Sequence, residues 1–309
     1  MISPRTGAPA GSHVRIMSMK QTRRTFLAAA AAAVVQGAEP VIDIHQHTNY
    51  AGRTDDELIA HQRTMGITRT VLLPAGSKYG LAAGCGGNDT VVALAQRHPD
   101  EFLFFANEVP DLPEARPVIE KYLKAGAIGI GEQKFHLDCD SAAIHMVAEV
   151  AEEFGVPVLM HFQHGEYNMG IERFHTMLEK CPRVNFIGHA QTWWGNIDRN
   201  HVQAVMYPKT KVAPGGITDR LLSDYPNMYG DLSAGSGLNA LLRDEEHAQA
   251  FLERHQDKLL YGSDCDDRAG EGEKCSGSKC LEAIRRLAPS GTVRQKILYG
   301  NASRLLKIR

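Results

Sequence analysis

Eight short apolar runs between Val41 and Ser263 constrain the fold more than any other feature of the chain. They are Val41–His45, Arg69–Pro74, Phe102–Asn107, Ala127–Gly131, Pro157–His161, Val184–His189, Met228–Leu232 and Lys258–Ser263, with starts mostly 25–44 residues apart. The runs are almost wholly apolar rather than alternating, the pattern of parallel strands covered on both faces. The segments between them carry helix punctuation. Thr54 and Glu57 have the spacing of a capping box. Asn88-Asp89 opens a helix through Arg97 that must stop at His98-Pro99. Asp140-Ser141 opens another through Phe154, ended by Gly155. Asp244–His255 and Gly277–Leu287 complete the set.

Eight strand-then-helix units within 309 residues match the size of a (β/α)8 TIM barrel. An open doubly wound sheet is the competing α/β architecture. The number of units favours closure, and so does the convergence of polar strand ends described below. The long connection Gln191 to Asn227 contains Trp193-Trp194 and reads as a loop over the barrel mouth. No stretch approaches the ~18 apolar residues of a membrane-spanning helix, so no stable span is expected.

The charge is unevenly distributed. The chain holds 34 basic and 36 acidic residues, but residues 1–37 carry five basic residues (Arg5, Arg15, Lys20, Arg23, Arg24) and no acidic one. Residues 38–309 therefore carry 29 basic and 36 acidic residues, a net charge of −7, and nucleic acid is not an expected partner. In the first segment, Thr22-Arg23-Arg24-Thr25-Phe26-Leu27 precedes six alanines and Val34-Val35. This order of basic region, short apolar region and small residues is that of a cleaved export signal. The paired arginines followed by Phe-Leu resemble the twin-arginine signal. The expected division is a signal segment over 1–37 and one barrel domain over 38–309, with Met1, Met17 or Met19 as the start. That implies the twin-arginine export machinery as a partner of the precursor and a periplasmic or otherwise exported location. An oxidising compartment permits disulfides. Cys275 and Cys280 share one loop and could pair, although free thiols are the simpler expectation in a large core. No CxxC pair is present, which argues against a thiolate zinc cluster.

Several runs end in residues an apolar strand does not need. The first ends Asp43-Ile44-His45-Gln46-His47, the fourth Gly131-Glu132, the fifth at His161, the sixth at His189 and the eighth Gly262-Ser263-Asp264. Residues i and i+2 of a strand face the same side, so His45 and His47 can grip one ion together. In a barrel the C-terminal strand ends meet at one mouth, where active sites form. Imidazole and carboxylate suit zinc, manganese or iron. Singly, each residue has an ordinary structural use. Together, the ordered series His-x-His, Glu, His, His, Asp points to a metal site.

At these residues the sequence resembles the amidohydrolase superfamily of metal-dependent TIM barrels, closest to its amidohydrolase-related branch of decarboxylases, hydratases and lactonases. The matching pieces are Asp43 to His47, His161, Ile187 to Ala190, Tyr261 to Asp264 and Tyr299 to Ala302. The resemblance implies that His45, His47, His161 and Asp264 hold one divalent metal, most simply Zn2+, with Mn2+ or Fe2+ as alternatives. His189 would act as acid or base, or as a ligand. Glu132 could bridge to a second ion held by His161 and His189, or could hydrogen-bond a ligand histidine or Lys134. One ion is the favoured count.

The expected activity is hydrolysis of a small carboxylate, lactone or amide, with Asp264 as proton acceptor and His189 assisting. His164, Lys134, Trp193 and Trp194 are candidate substrate contacts. The alternatives are a non-oxidative decarboxylase of the same superfamily and an exported metal-binding protein without turnover.

Overall fold

The computed structural model describes residues 39–76 and 84–308. The expected signal segment lies outside them.

All eight expected strands form, in parallel. They are β1 (Ile42–Gln46), β2 (Arg69–Leu72), β3 (Phe102–Phe104), β4 (Ile130–Gln133), β5 (Val158–His161), β6 (Phe186–His189), β7 (Met228–Asp231) and β8 (Leu259–Leu260). The ladder runs β1-β2-β3 and then β4 to β8 in sequential order. Two seams join these sheets into a ring. At β3/β4, Ala106 bridges Ile130 in parallel, and the Gly131 amide donates to the Ala106 carbonyl at 2.9 Å. At β8/β1, the Ile44 amide donates to the Tyr261 carbonyl at 3.1 Å and the Asp264 amide to the His45 carbonyl at 2.8 Å.

A ring of strands creates two apolar surfaces, and both are filled. One buried cluster takes Ile42, Ile44, Val71, Phe105, Leu159, Ile187 and Leu260 from around the ring, with Ile128 and Tyr229 packed against it. Residues drawn from so many strands meet only in the barrel interior, as layers of branched side chains do in this fold. A second, larger cluster lies between the ring and its helices and includes Leu72, Phe104, Met160, Phe186 and Met228.

The helix signals act as the residues dictate. In α1 (Asp55–Thr64) the Thr54 and Glu57 side chains cap each other's backbone amides. The next two helices are α2 (Asn88–Arg97) and α3 (Ala115–Lys124). Ser141 caps α4 (Ala142–Phe154), and Gly155 ends it at φ 63°. Asp244 caps the helix Glu245–Arg254. The connection after β6 folds into two short helices, Gln191–Gly195 and Ile217–Asp224, instead of staying a plain loop. At the other end of the chain, Ala302 and Leu306 pack into the interior cluster.

Two strands differ in extent from their apolar runs. The run Ala127–Gly131 marks β4 too early, because Glu132 and Gln133 continue the strand as buried residues with polar partners. The run Lys258–Ser263 marks β8 too long. Beyond Leu260 the chain bonds sideways to β1, and Ser263 donates its amide to Asp43 at 2.8 Å.

Asn301 follows the Tyr299-Gly300 pair and is wholly buried. Its amide group donates to the Gln256 carbonyl at 2.7 Å and the Leu259 carbonyl at 2.8 Å, tying the C-terminal segment to the start of β8. Asn301→Ala strands two buried carbonyls and should lower unfolding stability by about 1–3 kcal/mol. Urea denaturation measures this, and an unchanged midpoint would contradict the assignment.

Candidate metal centre

Six of the residues singled out at strand ends converge at the C-terminal mouth of the ring. His45 and His47 are 0 and 1% exposed, and their Nε2 atoms lie 3.2 Å apart. A register irregularity between Asp43 and Gln46 breaks the regular β1 ladder just where these side chains turn to the mouth. Glu132 Oε2 lies 3.7 Å from His45 Nε2 and 3.6 Å from His47 Nε2. Asp264 Oδ1 lies 3.8 and 3.5 Å from the same two nitrogens. Asp264 Oδ1 is buried and, among the described residues, has no hydrogen-bond partner.

The other ring nitrogens are occupied so as to aim Nε2 inward. His45 Nδ1 bonds Asp231 Oδ2 at 2.7 Å, and His47 Nδ1 bonds the Leu73 carbonyl at 2.7 Å. Both partners accept, so Nδ1 carries the proton and Nε2 keeps its lone pair for an ion. The chemistry of this donor set fits a divalent metal. His45, His47 and Asp264 offer ligand atoms within 4.8 Å of one another, and Glu132, His161 and His189 form a second such group alongside. The structure thus places His161 with Glu132, to which its Nδ1 is hydrogen-bonded, more closely than with the two β1 histidines.

His189 connects the two groups. Its Nε2 lies 3.4 Å from Asp264 Oδ2. Its Nδ1 faces Asp231 Oδ2 at 3.3 Å and the Ser233 hydroxyl at 3.0 Å. Sequence reasoning did not single out Asp231 and Ser233. The run Met228–Leu232 continues one residue past Asp231, which hides Asp231 as the polar end of β7, and Ser233 lies just beyond it. Ser233 precedes the helix Ala234–Leu242, yet its hydroxyl makes no cap and instead donates to Asp231 Oδ2 at 2.8 Å.

The electrostatics reflect charges crowded in a dry place. Burial alone would lower the proton affinity of His45, but Asp264, Asp231 and Glu132 raise it well above the ordinary imidazole range. Burial would raise Asp264, but His45, His189 and His47 hold it well below the usual carboxylate value. Glu132 is likewise held low against its burial by His161 and Lys134. His161 is the exception. Its burial outweighs Glu132 and favours the neutral ring, the form that binds metal.

Two glycines are needed here. Gly131 has φ 137°, and a Cβ on it would lie 2.8 Å from the Leu159 carbonyl oxygen. A Cβ on Gly262 would lie 2.6 Å from Asp231 Oδ1 and 2.9 Å from His45 Cβ. The Tyr261 to Asp264 motif therefore uses glycine to let β8 pass close behind the metal-facing side chains.

The candidate substrate contacts divide. Lys134 is half-buried, and its ammonium sits 5.7 Å from the Tyr167 ring centre. Burial would lower its pKa, but Glu132 and Asp264 keep it raised. His164 is exposed and lines a cavity of about 410 Å3, together with Gln163, Asn168, Arg173 and Thr192. Gln163 Oε1 lies 3.2 Å from His161 Nε2, so this cavity adjoins the metal-facing residues. Trp193 and Trp194 are 0 and 2% exposed and sit in the core, not over the mouth. Trp193 stacks on Phe162 at 5.8 Å, and Trp194 donates to the Asp231 carbonyl at 2.8 Å. Their apolar area is spent on packing, which leaves none facing a substrate.

Solved structures share this architecture. A TIM-barrel protein from Bordetella bronchiseptica aligns with TM-score 0.63 and 17% identity, over 87% of this chain and 98% of its own. A 5-carboxyvanillate decarboxylase from Sphingomonas paucimobilis aligns with TM-score 0.60 and 14% identity, over 88% and 100%. A protein assigned as a 2-pyrone-4,6-dicarboxylic acid hydrolase from Pseudomonas putida aligns with TM-score 0.58 and 17% identity, over 87% and 98%. At these identities the likeness concerns the fold. No curated protein sequence matches significantly. The Amidohydrolase family model matches residues 42–308, nearly the whole described barrel, and the chain belongs to that family.

Proposed function

We propose that the protein is a metal-dependent hydrolase of a small carboxylate, lactone or amide. One observation carries this reading: a buried carboxylate oxygen without a hydrogen-bond partner among the described residues, Asp264 Oδ1, faces two imidazole nitrogens that are otherwise fully oriented. His45, His47 and Asp264 would hold one divalent ion, Zn2+ in the first instance, with Glu132 beside them and His161 positioned through Glu132. Such an ion would polarise the scissile carbonyl and lower the pKa of a water toward about 7.

The chain's own groups then move the protons. Asp264 accepts the proton of the attacking water, and His189, at 3.4 Å, takes it on toward the leaving group. Asp231 and Ser233 behind His189 hold the ring in place, and the Asp231 carboxylate stabilises its protonated form. The adjoining cavity of about 410 Å3 is at the small end of ligand-site sizes. Within it, His164 is a contact for polar substrate groups, and Lys134, held charged by Glu132 and Asp264, is a cation available to a substrate carboxylate near the mouth.

Decarboxylation is the second reading, and the decarboxylases of the same fold favour it. His189 would then deliver a proton to the carbon that loses CO2. Release of CO2 from a candidate acid, against uptake of water oxygen into the product, separates the two.

The amino-terminal segment is proposed as a twin-arginine signal that sends residues 38–309 to the periplasm. Replacing Arg23 and Arg24 by lysine should retain the precursor in the cytoplasm. Unchanged periplasmic recovery in cell fractionation would sink that assignment.

His161→Ala and Asp264→Ala should each lose bound metal, and Asp264→Ala should lower kcat/KM by about 10²–10⁴-fold. Full metal content and activity in both variants, by elemental analysis and turnover, would overturn the site. Metal content should also depend on pH in a stated direction. The carboxylates around His45 raise its proton affinity, so a metal must displace a proton there, and acid favours the proton. Metal retained after dialysis should fall between about pH 9 and about pH 5, beginning above the ordinary imidazole value of about 6.5, because His45 holds its proton more tightly than that. Constant retention across that window would contradict the ligand set.

A further inference from the structure

A second group of metal-capable side chains lies behind the barrel mouth. His61, Cys265 and Cys275 are all buried, and each offers a ligand atom within 4.8 Å of the others. Cys265 and Cys275 Sγ are 3.6 Å apart, and Cys275 Sγ is 3.4 Å from His61 Nε2. Around one tetrahedral ion, with bonds of about 2.3 Å to sulfur and 2.0–2.1 Å to imidazole, the corresponding edges are about 3.8 and 3.5 Å. The observed spacings already approach them. A fourth soft donor is adjacent: Met65 Sδ lies 3.8 Å from Cys275 Sγ.

We propose that His61, Met65, Cys265 and Cys275 form a closed binding site for a thiophilic monovalent ion, Cu(I), distinct from the divalent centre of the barrel mouth. Two thiolates and a thioether are soft ligands that suit Cu(I), and the Met65 thioether falls outside the thiolate, imidazole and carboxylate set of structural zinc sites. The surroundings are built for ligation. His61 Nδ1 faces Gln62 Oε1 at 3.2 Å, which leaves Nε2 as the lone-pair nitrogen toward the thiols. Gln62 is itself held by Asp43 and Thr70 at 2.8 and 2.9 Å. The Ser278 amide donates to Cys275 Sγ at 3.3 Å. Binding releases the two thiol protons to solvent and leaves copper in its +1 state, so the site gains one net negative charge. A buried cation stands next to it. Arg53 is 1% exposed, donates to the Cys265 carbonyl at 2.9 Å, and has no partner for its Nε among the described residues. No CxxC spacing announces this group, because its thiols are ten positions apart and its other ligands come from the end of α1.

The test uses the full chain as purified, with its metal content first determined, titrated anaerobically with Cu(I) alone against a competing chelator. The expected result is one Cu(I) per chain, near-ultraviolet thiolate-to-copper absorption, and an X-ray absorption spectrum dominated by sulfur neighbours. His161→Ala should retain this uptake, and Cys275→Ser should lose it. Cys85 is the thiol beside His47 at the mouth, so Cys85→Ser should keep both the uptake and the sulfur-dominated spectrum, which keeps the test decisive even if Cys275→Ser fails to fold; loss of the sulfur shell in Cys85→Ser would overturn the proposal. No uptake, a nitrogen and oxygen shell alone, or a Cys265–Cys275 disulfide that resists reductant would each overturn the proposal.

Discussion

The wholly buried carboxylate of Asp43 is the contact on which the rest of the barrel mouth depends. Burial pushes its pKa up, and four donors from three parts of the chain work against that shift. The amides of His45 and Ser263 donate to one oxygen at 3.0 and 2.8 Å, and Gln62 donates to the other at 2.8 Å, beside the Ser263 hydroxyl. One side chain thereby sews the last strand to the first, satisfies backbone groups that the short β8 leaves without a ladder, and fixes His45 and Asp264 on either side of the seam. An unsatisfied charge in this position would be costly, and this is why the site is rigid where it needs to be.

The same economy governs the metal-facing side chains. Each histidine has one nitrogen committed to a carboxylate, a carbonyl or a hydroxyl, so ring orientation is set before any ion arrives. Asp231 serves His45 and His189 together, which makes the proposed proton-handling residue and the proposed ligand parts of one network. Glycine at 131 and 262 supplies the closeness that this network requires.

Much of this was legible in the residues, for physical reasons. Strands covered on both faces must be apolar, so a polar residue at their ends stands out, and His45, His47, Glu132, His161, His189 and Asp264 were found that way. Capping residues have local chemistry, so Thr54, Ser141 and Asp244 marked helix starts correctly. What failed to show depends on distance through space. Asp231 hid behind one more apolar residue, Leu232. Trp193-Trp194 looked like mouth residues because a long connection was read as a loop, but it folds into helices that bury them. Cys275 and Cys280 are close in the chain and could pair, but free thiols are the simpler expectation, and the structure bears that out. All six cysteines are free, the Cys280 thiol faces the Leu232 carbonyl at 2.9 Å, and Cys275 instead neighbours Cys265.

The β8/β1 seam also bears on the order of events in the life of the molecule. Its two halves are separated by more than two hundred residues, since Asp43 bonds Ser263 and the His45 carbonyl bonds the Asp264 amide. Closing so long a loop is slow compared with forming local strand-helix units. The chain therefore cannot assemble the proposed ligand set until nearly all of it has been synthesised. A nascent chain displays His45 and His47 without Asp264, so under the proposed function ring closure itself would decide when an ion can be captured.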